Sequence, residues 1–379
     1  MSLVFTEEQE LIRQTVREFA EEEVRPRVAD MVKTNQFPRD LYKRCGDLGF
    51  WRLVVPEDLG GAGKGLTEAC IVMEELARVS PALSLSLSVE IGLVSLPALI
   101  KTPAVKYAEG LMSGDIVIGA GSTDPKGQSN SEEWDVFARR DGNEWVLNGT
   151  RLYVTNGGAC DLFSVSGLDE DRKMRKFYVM KKDVTGFDNS QVDWKYGMAG
   201  TAGGTIVLKD CRVPEEMTSL FKIGTSAYYY YVYCLCAAEA LGCMEGLWEE
   251  TVEFTKMRTH DFKPIASMQA VSHKLVQMKL KMEMARSLIY DATTMYDEYL
   301  ADGSTERLNE WSIKAGAAKI CVSELAADIT TECLILHGGL GYHSPELHHF
   351  VGDALDYCIM DRTNEIHLDD IAKTLGITG

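Results

Sequence analysis

The feature that most constrains this fold is a change of texture near Asp115 that reverses about a hundred residues later, a usual domain length. From there to Val213-Pro214 the chain breaks into short β-rich runs: Ile116 to Ala120, Val136 to Arg140, Glu144 to Leu147, Thr150 to Val154, Leu162 to Ser166, Lys176 to Lys181 and Thr205 to Leu208. Gly, Asn and Asp punctuate them, and Asp141-Gly142-Asn143 and Asn148-Gly149 read as hairpin turns. The sequence on either side carries helical periodicity. The order α, then β, then α predicts an α+β chain: an N-terminal all-α domain (1–114), a small β-sandwich or barrel domain (115–216) and a C-terminal four-helix bundle (217–379).

The helical parts have legible starts. Thr6 followed by Gln9 reads as a capping box, and Leu11, Ile12, Val16, Phe19 and Ala20 continue it as one apolar stripe. Further helices are expected near Arg39 to Leu48, Leu66 to Val79, Leu83 to Leu99 and Lys106 to Met112. The bundle is expected from Tyr228 to His260, Met268 to Leu300, Ser304 to Leu336 and Asn364 to Leu375.

Charge narrows the function. With 39 Lys+Arg against 57 Asp+Glu, the net charge of −18 argues against a nucleic-acid partner, which requires a basic face. A small cationic pocket for a phosphorylated ligand remains compatible with it. The ten cysteines follow neither zinc nor thioredoxin spacing and lack a disulfide framework, which fits a reducing cytoplasm. MSLVFTEEQELIRQ has no export-signal pattern. Ala82 to Ile100 is too polar to span a membrane, because it holds Glu90, Pro97 and four serines.

Several constellations could carry chemistry. Five of the seven histidines lie between His337 and His367, but no H-E-x-x-H helix accompanies them; a polar loop between two helices is the favoured reading, and no metal site is expected. Gly338-Gly339-Leu340-Gly341 reads either as a helix cap or as backbone amides facing a pyrophosphate. Tyr228 to Tyr231 with Tyr233 reads as core packing or as a pocket wall for a bulky acyl group. Asp361 precedes Thr363, an N-cap residue type at the start of the last helix.

In order and spacing, these pieces resemble the acyl-CoA dehydrogenase family of flavoproteins over almost the whole chain. FTEEQELIRQTVREFAEEEV resembles its opening helix, and Val55-Pro56-Glu57 through Gly61 its V-P-E-x-x-G-G turn. Val146 to Thr150 and Tyr153 to Asn156 resemble its L-N-G-x-K-x-W-I-T-N strand pair. Lys209 to Pro214 resembles F-x-D-V-R-V-P, His337-Gly338-Gly339 with Gly341-Tyr342 resembles Q-x-x-G-G-x-G-Y, and Asp353-Ala354 through Glu365 resembles R-D-A-R-x-x-x-I-Y-E-G-T-S-E-I-Q.

The resemblance implies FAD as cofactor. It places Ser122, Thr123 and Ser129 in the flavin-edge loop and Tyr153 and Thr155 beside the isoalloxazine. It assigns Arg258 and Gln269 to contacts usually shared with a neighbouring subunit, and Gly338, Gly339, Thr363 and Glu365 to the remaining FAD loops. It further implies an acyl-CoA or other acyl thioester as substrate, an electron-transferring flavoprotein as redox partner and a homotetramer. The expected chemistry is α-proton removal by a carboxylate with β-hydride transfer to flavin N5.

Asp361 falls at the family's glutamate and is one methylene shorter, so Glu90, in the helix that by resemblance corresponds to the one lining the family's acyl cavity, is the rival base. Arg362 replaces the glycine after the base, Tyr233 replaces a helix arginine near the thioester, and Asp261-Phe262 replaces Phe-Gly after Arg258. With Glu90 and Ser129, Tyr233 and Arg362 are the expected substrate contacts. These departures fit an atypical acyl group: cyclic, aromatic or tethered to a carrier protein. Three readings stay open: a dehydrogenase or, in reverse, an enoyl-thioester reductase; a flavoenzyme using Glu90 as base or doing other chemistry on the flavin; and a silent acyl-binding relative.

Overall fold

The computed structural model describes residues 5–94, 103–127, 133–220 and 227–378. The Glu7–Phe19 helix opens on the expected box, with the Thr6 hydroxyl accepting from the Gln9 amide and the Gln9 side chain accepting from the Thr6 amide. Arg25–Thr34, Arg39–Asp47, Leu66–Ala77 and Pro81–Val94 complete the longer N-terminal helices. After the β region come three long helices, Ala227–Met257, Gln269–Asp302 and Thr305–His337. Leu66–Ala77 and Pro81–Val94 pack on the first of them. The two helical regions therefore share one apolar core, running from Val16 and Phe19 through Leu66 and Met73 to Leu235, Leu241, Ile289 and Trp311.

The middle region folds into one eight-stranded sheet: β1 (Ile118–Gly121), β2 (Phe137–Asp141), β3 (Glu144–Val154), β4 (Leu162–Leu168), β5 (Met174–Met180), β6 (Phe187–Val192), β7 (Gly204–Pro214) and β8 (Thr218–Leu220). The order is β6-β7-β3-β2-β4-β5-β8, with β1 added parallel to β4. It has its own core, around Trp145, Leu147, Phe163, Phe177 and Ile206. The Gly142-Asn143 hairpin forms as expected, with Asp141 opposite Glu144.

Two expectations are corrected. Asn148-Gly149 makes no hairpin, because β3 runs straight through it. The register against β7 slips between Leu147 and Gly149, and Gly149 sits at φ 131, so the pair forms a β-bulge. The Asn148 amide group donates to the Asp210 carboxylate at 3.1 Å and accepts from the Asp210 N–H at 2.9 Å, which fixes the bulge. The histidine-rich stretch is no polar loop either, because Pro345–Tyr357 is a helix packed on the first and third bundle helices. His349 is buried there, bonded through Nδ1 to Asp353 at 2.8 Å, and that pairing lets a polar residue face the core. The last helix is Asn364–Thr374.

Candidate active site

A cavity of about 1250 Å³ opens between the sheet and the bundle. Its sheet wall starts from the Ser122-Thr123-Asp124 loop, which is pinned to β3 by the Leu152 N–H donating to the Thr123 carbonyl at 3.0 Å. Beneath the loop Arg151 and Asp124 form a fully buried ion pair, and Arg151 also donates to the Ser166 carbonyl at 2.6 Å. The bulged end of β3 then turns Tyr153 outward at φ 55, leaving it 70% exposed toward the cavity. Thr155 lines the same wall. Asn156 behind it donates to the carbonyls of Ser86 (3.0 Å) and Ile118 (3.1 Å), locking sheet to helix.

The bundle wall is built from Tyr229, Tyr230, Val232 and Tyr233, together with Asp356 and the segment from Ile359 to Arg362. The 193–197 loop closes one side by backbone contact. A Cβ on Gly197 would lie 2.3 Å from the Gly352 carbonyl carbon, so only glycine permits this approach. Tyr231, by contrast, packs into the core against Tyr296. The tyrosine cluster is thus divided between the cavity wall and the core.

Asp361 faces the cavity from a strained turn. It stands at φ 50 and Arg362 at φ 78, both in the left-handed region that side chains other than glycine rarely adopt. Its side chain is exposed where it meets the cavity, with protein crowding it from behind. None of the described residues donates a hydrogen bond to it. Burial raises its pKa to about 6; Lys319 opposes that rise and Asp356 adds to it. Arg362 is already engaged, donating to Asp370 at 2.7 Å and lying over the Tyr229 ring. Lys176 also lines the cavity, its pKa lowered to about 8 by burial and by Arg151.

Of the residues singled out from sequence, Ser122, Thr123, Tyr153, Thr155, Tyr233, Asp361 and Arg362 converge on this cavity. Thr363 occupies the N-cap position of the last helix without capping it and bonds the Glu365 side chain, which holds that exposed carboxyl below its usual range together with Glu365's own amide. Neither lines the cavity. Arg258, Gln269, Gly338 and Gly339 are exposed at the opposite end of the bundle, where Phe254 stacks on His337. Ser129 and the Glu90 side chain lie outside the described residues, although the Glu90 backbone belongs to the Pro81–Val94 helix.

Sequence reasoning missed two residues beside the site. Glu239 is fully buried, with Ser88 beside it and no cation within ion-pair distance among the described residues, and burial pushes its pKa far up. Lys319, also fully buried, bonds around the Asp361 turn. In both cases the only signal was a lone charge inside an apolar helical run.

Comparison with known proteins agrees with this architecture. Three family models match along the chain: "Acyl-CoA dehydrogenase, N-terminal domain" over residues 6–104, "middle domain" over 119–211 and "C-terminal domain" over 234–376. An acyl-CoA dehydrogenase of Bacillus subtilis is 30% identical over 98% of both chains. The chain belongs to the acyl-CoA dehydrogenase family. Within that family it is 27% identical to a 3-(aryl)acrylate reductase of Clostridium sporogenes, over 98% of this chain and all of the relative. It also superposes, with a TM-score of 0.89 and 26% identity, on 99% of a chain in the structure of the electron transferring flavoprotein of Acidaminococcus fermentans. Family membership makes it an oxidoreductase acting on CH–CH bonds. Among the described residues no helix is long and apolar enough to cross a membrane, and no three His, Cys, Asp or Glu side chains converge as metal ligands.

Proposed function

We propose that this protein is an FAD-dependent acyl-thioester dehydrogenase in which Asp361 is the base. The observation that carries the reading is Asp361 itself: a carboxylate facing into a two-walled cavity from a strained turn, tuned toward neutral pH and, among the described residues, free of hydrogen bonds that would quench its basicity. The cavity fits a cofactor and a substrate together, since it exceeds the roughly 300–1,000 Å³ of ordinary ligand pockets. Ser122, Thr123, Tyr153 and Thr155 would hold the flavin on the sheet wall, Tyr153 offering its ring and the others their polar atoms. Bound FAD supplies a two-electron acceptor for the β-hydride. The chain's own residues do the rest: the tyrosine wall excludes water from the acyl group, and Asp361 takes the α-proton and holds it.

The reverse direction, reduction of an enoyl thioester, is favoured by one observation. Tyr229, Tyr230 and Tyr233 give the acyl end an aromatic wall, and the 3-(aryl)acrylate reductase is among the relatives. In either direction the redox partner is an electron-transferring flavoprotein, as the family resemblance implies. Self-association, as a homotetramer, is supported by apolar exposure at the end of the bundle that carries Arg258 and Gly338. Met257, Phe262, Val276, Leu280, Met284, Ile335 and Tyr342 are all more than half exposed there. Ten free cysteines fit a cytoplasmic setting.

Anaerobic titration of the purified holoprotein with straight, branched, cyclic and aryl acyl-CoAs, following the flavin absorbance, tests the reading. Bleaching by one saturated thioester, or reoxidation of the reduced protein by its enoyl counterpart, is expected. A protein that neither binds FAD nor responds to any thioester in either redox state would overturn it.

A further inference from the structure

Lys319 sits in the middle of the Thr305–His337 helix with no solvent exposure. A buried ammonium is costly unless its protons are taken up. No carboxylate lies within ion-pair distance of it among the described residues. Instead its three donors go to the Asn364 side-chain oxygen at 2.7 Å, the Arg362 carbonyl at 3.0 Å and the Cys358 carbonyl at 3.4 Å. These oxygens bracket Asp361 on both sides. Cys358 caps the C-terminus of the Pro345–Tyr357 helix, the negative end of its dipole, and Asn364 opens the next helix.

The bracing is redundant. The His367 Nε2 lies 3.0 Å from the same Arg362 carbonyl, and Asn364 donates to Ser323, four residues after Lys319 on the same helix, at 3.1 Å. Two consecutive residues other than glycine with positive φ cost roughly 1–3 kcal/mol each and persist only where the surroundings hold them.

We propose that Lys319 is the positioning residue for Asp361: its ammonium clamps the left-handed turn that presents the base and supplies the buried positive charge behind it. This rests on the reading of Asp361 as base. The groups that face Asp361 are Lys319 from the third bundle helix, Asp356 from Pro345–Tyr357, Cys236, Glu239, Tyr229 and Tyr233 from Ala227–Met257, and Arg362 (itself paired with Asp370) and His367 from the turn and last helix. Lys319 is the buried cation among them.

The test compares wild-type holoprotein with Lys319→Met and Lys319→Gln. The glutamine variant keeps two donors, drops the charge and carries the test should the methionine variant not fold. Asp361's titration is read from the carboxyl resonance of labelled aspartate, assigned by its loss in Asp361→Asn, so no turnover is required. Its midpoint should rise by about one pH unit or more in both variants. Amide hydrogen exchange across residues 359–366 should accelerate at least about tenfold in Lys319→Met. The bleaching rate should fall on the order of a hundredfold. Faster exchange with an unmoved midpoint would make Lys319 merely structural and overturn the proposal, as would unchanged exchange. If wild type bleaches with no thioester while the midpoint and exchange respond as stated, the clamp stands and the assignment of Asp361 as base falls.

Discussion

Glu239 and Glu245 lie on the same helix, six residues apart, and both are buried. Glu245 accepts from Arg286 and, at 2.8 Å, from Lys279. Burial pushes its pKa up, but those two cations outweigh it and hold the carboxyl below its usual range. Arg286 also binds Glu74, which takes a further hydrogen bond from Tyr290 at 2.8 Å; burial still raises the Glu74 pKa, but both oxygens of each acid have a partner. Glu239 has no such answer: no cation pairs with it among the described residues, and burial pushes its pKa far up despite a hydrogen bond from Ser88. The difference teaches where to look for function. Acids that hold the two helical regions together are paired with cations; Glu239 and Asp361, in or near the cavity, have no cation within ion-pair distance among the described residues.

The strongest way to break that contrast is Arg286→Met, which strands Glu74 and Glu245 together. Urea denaturation should register a loss of about 3–5 kcal/mol. If stability barely changes, the cluster does not hold the two regions together. Next in size is the pH dependence of substrate bleaching. Asp361 must be ionised to accept a proton, and its pKa is raised to about 6, so the rate should be flat above that value and fall tenfold per unit below it. At two units below the inflection the loss is roughly a hundredfold. Stopped-flow mixing across the acidic range checks this, and a flat profile would remove Asp361 from rate control. The smallest effect has the opposite sign: Glu239→Leu removes a buried acid with no cation beside it and should raise the unfolding free energy measured in urea by about 1 kcal/mol. A loss of similar size would mean that the Ser88 hydrogen bond satisfies Glu239 in the core.

The α, β, α order was legible because periodicity and turn chemistry change sharply at Asp115 and Pro214. Recognition of the family placed Ser122, Thr123, Tyr153, Thr155, Tyr233, Asp361 and Arg362 near one another in function, and the fold brings them to one cavity. Asn148-Gly149 misled because the same dipeptide serves a hairpin or a bulge, and only the partner strand with Asp210 decides between them. The Pro345–Tyr357 helix was hidden because His348 and His349 look solvated, while the Asp353 partner that buries His349 is visible only in space. Glu239 and Lys319 were hidden for one reason: a lone charge in an apolar run does not say whether it is paired. The backbone at 262 and 362 adds a lesson about strain. The family pattern has glycine at both positions, and Phe262 and Arg362 adopt its left-handed conformation anyway, at φ 66 and φ 78. At 362 the surrounding structure overrules local preference; Phe262 is fully exposed, and its conformation is that of the two-residue turn between the paired His260 and Lys263.

The most direct test of the account is anaerobic mixing of substrate with Asp361→Ala and Glu90→Gln holoproteins. The account predicts that FAD stays bound in both, that bleaching is lost in Asp361→Ala, and that Glu90→Gln bleaches like wild type. Full bleaching in Asp361→Ala, or its loss in Glu90→Gln alone, would contradict it.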